Sequence, residues 1–279
     1  TWHLYTANTV STLSLPDAAP AWDAAPESSD FEVSDLSYLA SESAWSPVSP
    51  QIYGAARATQ LKASYQTLLQ NTYRNAQPVM ISDGSALYAA FVRADADSGA
   101  RYVALTKFDG TSWSAPAAVD ASAILDDAPQ LCTDAAGNLW LAYARTTQEP
   151  GDSLVAYAQH QTIVVGTVNK DTLAFTAQKT YQSDNYMYMH LPTLSCVNGT
   201  PVLAWAESAV TSEESVVNPT ASAVYTAEYR GGAWLDARKA ADAAGTGSIC
   251  IGAQNGAPAV AYTSDGKLHT RTWARQAAG

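Results

Sequence analysis

Charged side chains are scarce in this chain, and basic ones are the scarcest. Only 15% of the 279 residues are charged, with 15 Lys and Arg against 26 Asp and Glu, which gives a net charge of −11. A nucleic-acid-binding surface needs a basic stripe that replaces the counterions of the phosphate backbone. The composition therefore predicts no nucleic-acid partner and a surface that is largely neutral and polar.

The chain also lacks a long apolar run and the short motifs of common enzyme chemistry. No stretch approaches the length of a membrane span, so we expect no membrane insertion. The patterns G-x-S-x-G and H-E-x-x-H, the P-loop, and G-x-G-x-x-G between a strand and a helix do not occur. The four histidines, at positions 3, 160, 190 and 269, are scattered without ligand spacing. We therefore expect neither a metal nor a cofactor.

Cysteine is rare as well. Cys132, Cys196 and Cys250 are the three in the chain, and each falls in an equivalent apolar strand of the repeat described below. Small secreted scaffolds that depend on disulfides carry even counts of cysteine in short chains. We expect the three side chains to be small, buried, unreactive hydrophobes, with one bridge between adjacent inner strands as the alternative.

What the sequence does contain is a pattern that occurs four times. Each copy reads as a strand, a turn with Gly or Asn, and an apolar strand that ends on an aromatic residue. The copies begin at Pro78, Pro129, Pro192 and Ser248. They are spaced by about 50 to 65 residues, a period typical of propellers, solenoids and arrays.

A second element shares this period. After each aromatic-ended strand comes a further strand, then a tight turn and an aromatic residue, namely Trp113, Phe175 or Trp234. Asp-Gly and Gly-Gly between apolar runs are hairpin signals, because glycine adopts the positive φ that such turns require. Each unit is therefore four short antiparallel strands, which bury their faces only by packing on neighbouring units. The sequence predicts an all-β fold, a β-propeller of four-stranded blades.

The two ends of the chain fit a closed ring of five blades. The last copy stops after its third strand, and a partial first copy is clear only in its third and fourth strands, at residues 31–47. The strand-like segment at residues 2–6 would supply the missing outer strand and leave no open sheet edge. We thus expect one propeller domain over residues 1–279, cut from a longer chain. The alternative is a piece of a larger ring.

One segment departs from the strand pattern. Between Trp45 and Pro78, apolar residues recur at intervals of three and four, at positions 61, 65, 68, 69 and 73. This spacing marks one face of a helix. We expect an inserted helix near residues 53–73 that either packs on the propeller or caps one rim.

The repeat resembles that of sialidase-like propellers and their non-catalytic relatives on bacterial surface proteins. The resemblance rests on DGTSWSAP at 109–116 and DDAPQLCTDAAGNLWLAYAR at 126–145. The Asp-box of that family reads S-x-D-x-G-x-T-W, whereas this chain has Phe108 in place of the acid and Ser112 in place of the threonine. The resemblance therefore implies the fold much more than the chemistry.

Sialidases, which this repeat resembles, clamp a carboxylate with three arginines. Arg93 and Arg145 hold the same position in two copies, two residues after the strand's aromatic, and Glu207 holds it in the next copy. Such a series would converge on a ligand. The alternative is that each is a solvated residue at a strand end, in a surface ion pair worth about 0–1 kcal/mol.

The loop at residues 184–190 is unusually aromatic. Loops at this end of each strand open on the same face of a propeller, so Tyr186, Tyr188 and His190 would lie beside the series above. Aromatic faces flanked by carboxylates suit sugar C–H surfaces or peptide side chains. We predict that the six residues form a ligand-binding surface; the alternative for the loop is that it covers strand ends.

These observations favour a binding or interaction domain over an enzyme. Low lysine content and a Trp- and Tyr-rich strand pattern are typical of secreted or surface-displayed bacterial proteins, so we expect an extracellular or cell-surface location. The expected ligand is a glycan or a protein, and other domains of a longer parent chain are further partners. A glycoside hydrolase, sialidase-like or of another five-bladed type, and a structural spacer or assembly subunit are the alternatives.

Overall fold

The computed structural model describes residues 2–6, 9–13, 77–95, 97–146, 153–219, 221–243 and 247–272. The chain divides into two compact units, residues 1–68 and 69–279. In the first unit, strand β1 (Trp2–Thr6) pairs antiparallel with β2 (Thr9–Leu13). The strand expected at residues 2–6 is present, and its proposed place in the last blade stays a prediction. The helix predicted at residues 53–73 and the partial copy at residues 31–47 lie outside the described residues.

The second unit opens with two antiparallel sheets of four strands. The first sheet contains β3 (Val79–Ser82), β4 (Leu87–Ala94), β5 (Arg101–Phe108) and β6 (Ala117–Ala118). The second contains β7 (Leu125–Thr133), β8 (Leu139–Thr146), β9 (Gln161–Val168) and β10 (Phe175–Tyr181). A parallel residue pair, Arg101 with Leu125, joins the two sheets at one end. In both sheets, strands that are neighbours in sequence are also neighbours in space, which is the order of a propeller blade.

Two further sheets follow in the same order. The third sheet contains β11 (Tyr188–Val197), β12 (Thr200–Ser208) and β13 (Ala221–Arg230), with an outer edge made by β14 (Ala233–Trp234) and β15 (Arg238–Asp242). The fourth contains β16 (Ile249–Gln254), β17 (Ala257–Ser264) and β18 (Lys267–Thr272). These four sheets are the four predicted copies. The count of five blades stays a prediction.

Two short helices interrupt the strands at equivalent places. Helix α1 (Leu154–Gln159) follows β8, and α2 (Glu213–Val217) follows β12. The side chain of Ser153 or Ser212 caps each N-terminus by accepting a backbone N–H bond, which satisfies one of the donors that a helix start leaves open. Among the described residues, no helix has the length and apolarity to cross a membrane.

Local side chains dictate the tight turns. The carboxylate of Asp109 accepts hydrogen bonds from the backbone N–H groups of Thr111 and Ser112, at 2.8 and 2.9 Å. Such Asx turns favour Asp and Asn at the start of a hairpin loop. The aromatic residue after each turn then pairs with the last or next-to-last residue of the third strand: Trp113 with Phe108, Phe175 with Val168, and Trp234 with Tyr229. The prediction that these three aromatic residues occupy equivalent positions in their copies is confirmed.

The core lies between successive sheets. Alternate residues of β8 point to opposite faces, so that Leu141 and Tyr143 pack towards the first sheet, while Trp140 and Ala142 pack towards the third. A third cluster, which includes Val224 and Val260, joins the third and fourth sheets. Sheets that stack face to face in sequence order, about 10 Å apart, are the blades of a β-propeller.

The cysteines depart in part from expectation. Cys132 is buried and Cys196 is partly buried, but Cys250 is exposed. Cys250 lies on β16, in the last described sheet, whose first strand is exposed at most of its positions. The prediction that all three thiols are buried is therefore wrong for Cys250.

Candidate functional site

Arg93, Arg145 and Glu207 occupy the same position in three consecutive sheets, near the end of β4, β8 and β12. Strand alternation also gives them the same direction, towards the preceding sheet. Arg145 therefore enters the space between the first and second sheets, and Glu207 enters the space between the second and third. The second sheet lies between the two side chains. They are therefore not close together, although they occupy equivalent positions in the repeat.

Arg145 anchors a network of charges in the first of these spaces. Its Nε and Nη2 donate to the two carboxylate oxygens of Asp126, at 2.7 and 2.9 Å, and its Nη1 donates to Asp120 at 2.9 Å. The guanidinium also lies 5.1 Å from the ring centre of Tyr143. A fork geometry of this kind matches a carboxylate closely. The arginine is thus held in place by two carboxylates.

The two carboxylates of this network differ in environment. Asp126 is fully buried, and burial raises its pKa although Arg145 opposes the shift. Asp120 is partly exposed, and hydrogen bonds from Ser122 together with Arg145 lower its pKa. Two carboxyl groups thus share one arginine, which has no free side left for a further acidic partner.

A cleft of about 490 Å³ opens beside Arg145. We call it the interblade cleft; its lining is Val119, Asp120, Tyr143, Arg145, His160, Thr162, Val164, Phe175, Ala177, Thr180 and Gln182. One wall is the face of β8, β9 and β10 that is turned towards the first sheet. The first sheet covers little of the opposite side, because its outer strand β6 has only two residues. The short strand leaves part of the second sheet uncovered.

The interblade cleft combines an apolar floor with polar sides. Phe175, which is partly exposed, packs edge-on against Tyr143 with ring centres 5.6 Å apart. Thr180 and Gln182 are exposed on one side. The Thr162 hydroxyl donates to the carbonyl of Arg145 at 3.1 Å, which fixes its position. Pockets for small molecules typically join a mostly apolar lining to a few placed polar groups, within about 300–1,000 Å³.

Tyr186 contacts His160, one of the residues that line the interblade cleft. Its ring lies 5.8 Å from that of His160, edge to face, and 61% of the residue is exposed. Its φ of +52° lies in the left-handed region, which costs a residue other than glycine about 1–3 kcal/mol. The surrounding loop therefore holds an exposed aromatic ring against His160.

Tyr188 and His190 form a separate pair on β11. Their rings stack with centres 4.7 Å apart and planes 16° from parallel. His190 is buried and its Nε2 lies 2.7 Å from the Ser208 hydroxyl. Burial lowers the pKa of His190 to about 4 and raises the pKa of Tyr188. Both side chains are therefore neutral at physiological pH and belong largely to the packed interior.

Glu207 is also buried. Its carboxylate accepts hydrogen bonds from the Trp205 indole at 3.3 Å and from the Ser183 hydroxyl at 3.4 Å. Burial raises its pKa above the usual range. Ser183 begins the aromatic loop, so Glu207 ties that loop to the third sheet.

Arg93 lies on the face of β4 that is turned away from the second sheet. Its guanidinium stands 5.9 Å from the ring centre of Tyr102, its partner across β4 and β5. Its Nε is buried without a hydrogen-bond partner within the described part of the chain.

The six predicted residues thus fall into separate groups. Arg145 lines the interblade cleft and Tyr186 contacts its lining residue His160. Tyr188 and His190 contact each other, and Glu207 and Arg93 have partners of their own. Sequence reasoning missed His160, Thr162, Thr180 and Gln182. One feature of the sequence indicates them: the segment between Trp113 and Pro129 is short. It leaves room for only a very short outer strand in the first sheet.

A second groove, of about 570 Å³, lies at the edge where β5 and β7 meet. Small and apolar residues make up most of its lining, with Arg101, Leu154 and Tyr157 as the larger side chains. Arg101 is paired with Asp127 at 3.7 Å. This groove offers fewer polar side chains than the interblade cleft.

No family model matches the sequence, and no curated protein matches it. Among solved structures, an endo-arabinase from Bacteroides thetaiotaomicron is 12% identical, with a TM-score of 0.46 over 71% of this chain and 75% of that one. A xylan β-1,4-xylosidase from Bacillus halodurans is 15% identical, with a TM-score of 0.44 over 70% and 40%. A Trypanosoma rangeli sialidase is 12% identical, with a TM-score of 0.45 over 70% and 36%. The architecture follows from strand order within the sheets and not from these likenesses.

Proposed function

We propose that this chain is a carbohydrate-binding β-propeller domain that takes a short, uncharged glycan in the interblade cleft. The observation that carries the proposal is the composition of the cleft, where the partly exposed ring of Phe175 lies among hydroxyl, amide and imidazole side chains. Sugars present C–H faces that stack on aromatic rings and hydroxyls that pair with such groups.

The charge of the interblade cleft supports an uncharged ligand. Arg145 is shared between Asp126 and Asp120, so its guanidinium already has two acidic partners. A sialic acid carboxylate would have to displace one of these partners, and the displaced partner would then be left uncompensated. The site therefore favours a neutral sugar over an acidic one.

The burial and hydrogen bonding of the carboxylates support a binding role more than a role in glycoside hydrolysis. Glycoside hydrolysis needs two carboxyl groups on either side of the sugar, one of them with a raised pKa. Asp126 and Glu207 have raised pKa values, but both are buried and hydrogen-bonded to protein side chains. Neither touches the space that a sugar would fill.

An extracellular location is part of the proposal. The low content of charged residues, 15%, and the excess of acids over bases support it. Labelling of intact and of lysed source cells with an antibody against the domain tests the location. Signal confined to lysed cells would contradict it.

The binding proposal is tested with a glycan array, followed by calorimetric titration of the best ligand. We expect retention of a neutral oligosaccharide, and at least a tenfold loss of affinity in the Thr180→Ala/Gln182→Ala variant. The matched control is Thr176→Ala/Gln178→Ala, two exposed residues of β10 outside the cleft lining. Equal loss in both variants, or retention of acidic glycans alone, would contradict the proposal.

A further inference from the structure

Two of the three cysteines meet across the boundary between the second and third sheets. Cys132 lies on β7 and Cys196 on β11, the first strands of their sheets, and these two strands pack side by side. Their Sγ atoms are 3.1 Å apart. Cys132 is buried, and Cys196 is partly exposed.

We propose that Cys132 and Cys196 are an oxidation site at which a disulfide joins the first strands of neighbouring blades. The bond needs an S–S separation of about 2.05 Å, so that the sulfurs must approach by about 1 Å. The two strands already pack side by side, and rotation about the Cα–Cβ bonds moves the sulfurs relative to each other.

The oxidant is a small disulfide or a dithiol–disulfide exchange protein, written RSSR. The thiolate of Cys196 attacks one sulfur of RSSR, forms a mixed disulfide and releases RS⁻. The thiolate of Cys132 then attacks the Cys196 sulfur and releases the second RS⁻. The two protons lost by the cysteines convert both RS⁻ into RSH, so that the protein loses two electrons and two protons and RSSR gains them.

The order of the two attacks follows from exposure. Cys196 is the thiol that solvent reaches, whereas Cys132 lies within the core cluster beside Trp140 and Leu194. The hydrogen bond between the thiols, with burial, raises the pKa of Cys132, and the same hydrogen bond lowers the pKa of Cys196. The accessible sulfur is therefore also the one that ionises first.

The crosslink would add a covalent bond to a boundary that is held by packing and by a few hydrogen bonds, such as that from the Tyr181 hydroxyl to the Leu235 carbonyl at 2.7 Å. It closes a long loop in the chain, and such loops restrict the unfolded state most. Oxidising surroundings outside the cell are where bonds of this kind persist. Cys250, exposed on β16, is the reference thiol because it lies on the equivalent first strand of its sheet and has no described sulfur beside it.

The test begins with the full chain purified under reducing conditions and treated with oxidised glutathione. After alkylation, intact mass spectrometry counts the free thiols, and peptide mapping under non-reducing conditions locates any bond. We expect the Cys250→Ser variant to retain no free thiol and to carry no glutathione, and wild type to differ from it only at Cys250, which is either free or joined to one glutathione. A peptide that joins the segments around Cys132 and Cys196 is the expected product.

Two variants distinguish the internal bond from oxidation at a single thiol. Cys196→Ser should gain no internal bond, and Cys250→Ser should melt several degrees higher when oxidised than when reduced. If Cys196→Ser fails to fold, the melting comparison within Cys250→Ser still decides the matter. Glutathione attached to Cys196 without internal transfer, dimers through Cys250 alone, or three unchanged thiols would overturn the proposal.

Discussion

The guanidinium of Arg145 holds the fully buried carboxylate of Asp126 with two hydrogen bonds, 2.7 and 2.9 Å long. The two residues face each other across β7 and β8. This pair joins the beginning of β7 to the end of β8, and its arginine lines the interblade cleft. Arg145 therefore has a structural role at this repeat position of the second sheet.

Loss of Arg145 should destabilise the protein strongly. Arg145→Met leaves the Asp126 charge buried without a partner, and we expect a loss of about 3–5 kcal/mol in the free energy of unfolding. Urea denaturation at pH 7 measures it. The Arg145→Met/Asp126→Asn variant removes the charge as well and should recover at least half of the loss. A single variant as stable as wild type would show that the pair contributes nothing.

Stability should fall between pH 6.5 and pH 4 because of His190. Burial lowers the pKa of His190 in the folded state from 6.5 to about 4, so the unfolded state binds more protons in this range. The stability that neutral His190 provides is complete above pH 6.5 and is lost as the pH falls towards 4. We expect wild type to lose about 2 kcal/mol between pH 7.5 and pH 5.

The matched variants for this pH dependence are His190→Gln and His269→Gln. The first should flatten the curve of unfolding free energy between pH 7.5 and pH 5, and the second should leave it unchanged. A drop in His190→Gln equal to that of wild type would assign the acid sensitivity to other groups.

Gly166 on β9 should not tolerate a side chain. A Cβ at this position would lie 2.1 Å from the carbonyl oxygen of Thr176 on β10, so the strands would have to separate. We expect Gly166→Ala to cost about 2–3 kcal/mol, in the range of other overpacked substitutions. Gly252→Ala is the control, since nothing lies within 4 Å of its Cβ and its φ is ordinary. Thermal melting of both variants checks the difference.

Tyr186 and Tyr188 should respond differently to truncation. Tyr186 is exposed and contacts His160 of the interblade cleft, so Tyr186→Ala should weaken glycan binding about threefold to tenfold and leave the melting temperature within a degree or two. Tyr188 is stacked and partly buried, so Tyr188→Ala should lower stability by about 1–3 kcal/mol with little direct effect on binding. Calorimetry and melting curves on both variants separate the effects, and the reverse pattern would move the binding surface to β11.

Much of the fold could be predicted from the chain alone. The copies that begin at Pro129 and Pro192 became sheets with the expected strand order, because alternation and turn residues are local signals. The role of these prolines was not visible: each follows a residue with a positive φ, Ala128 or Leu191, at a bulge in the first strand of its sheet. A bulge depends on pairing with a partner strand, which a single strand does not reveal.

The candidate site was harder to predict from the sequence, because the interblade cleft lies where the short strand β6 leaves part of the second sheet uncovered. Arg145 was chosen for its repeat position, and that position does line the interblade cleft. Glu207, chosen for the same reason, faces a different and filled space, because consecutive blades direct equivalent residues into consecutive gaps. Thr180 and Gln182 carry no sequence signal of their own; they matter because β6 is short.

The central claim is that a neutral glycan binds in the interblade cleft, and the most direct test is to locate the bound sugar. Backbone amide NMR spectra of the labelled protein, titrated with the best neutral oligosaccharide from the array, report which residues sense the ligand. We expect saturable shifts at His160, Thr162, Thr180 and Gln182, and little change at Tyr188 and His190. Shifts confined to Tyr188, His190 and the groove at Arg101, with none in the cleft, would contradict the claim.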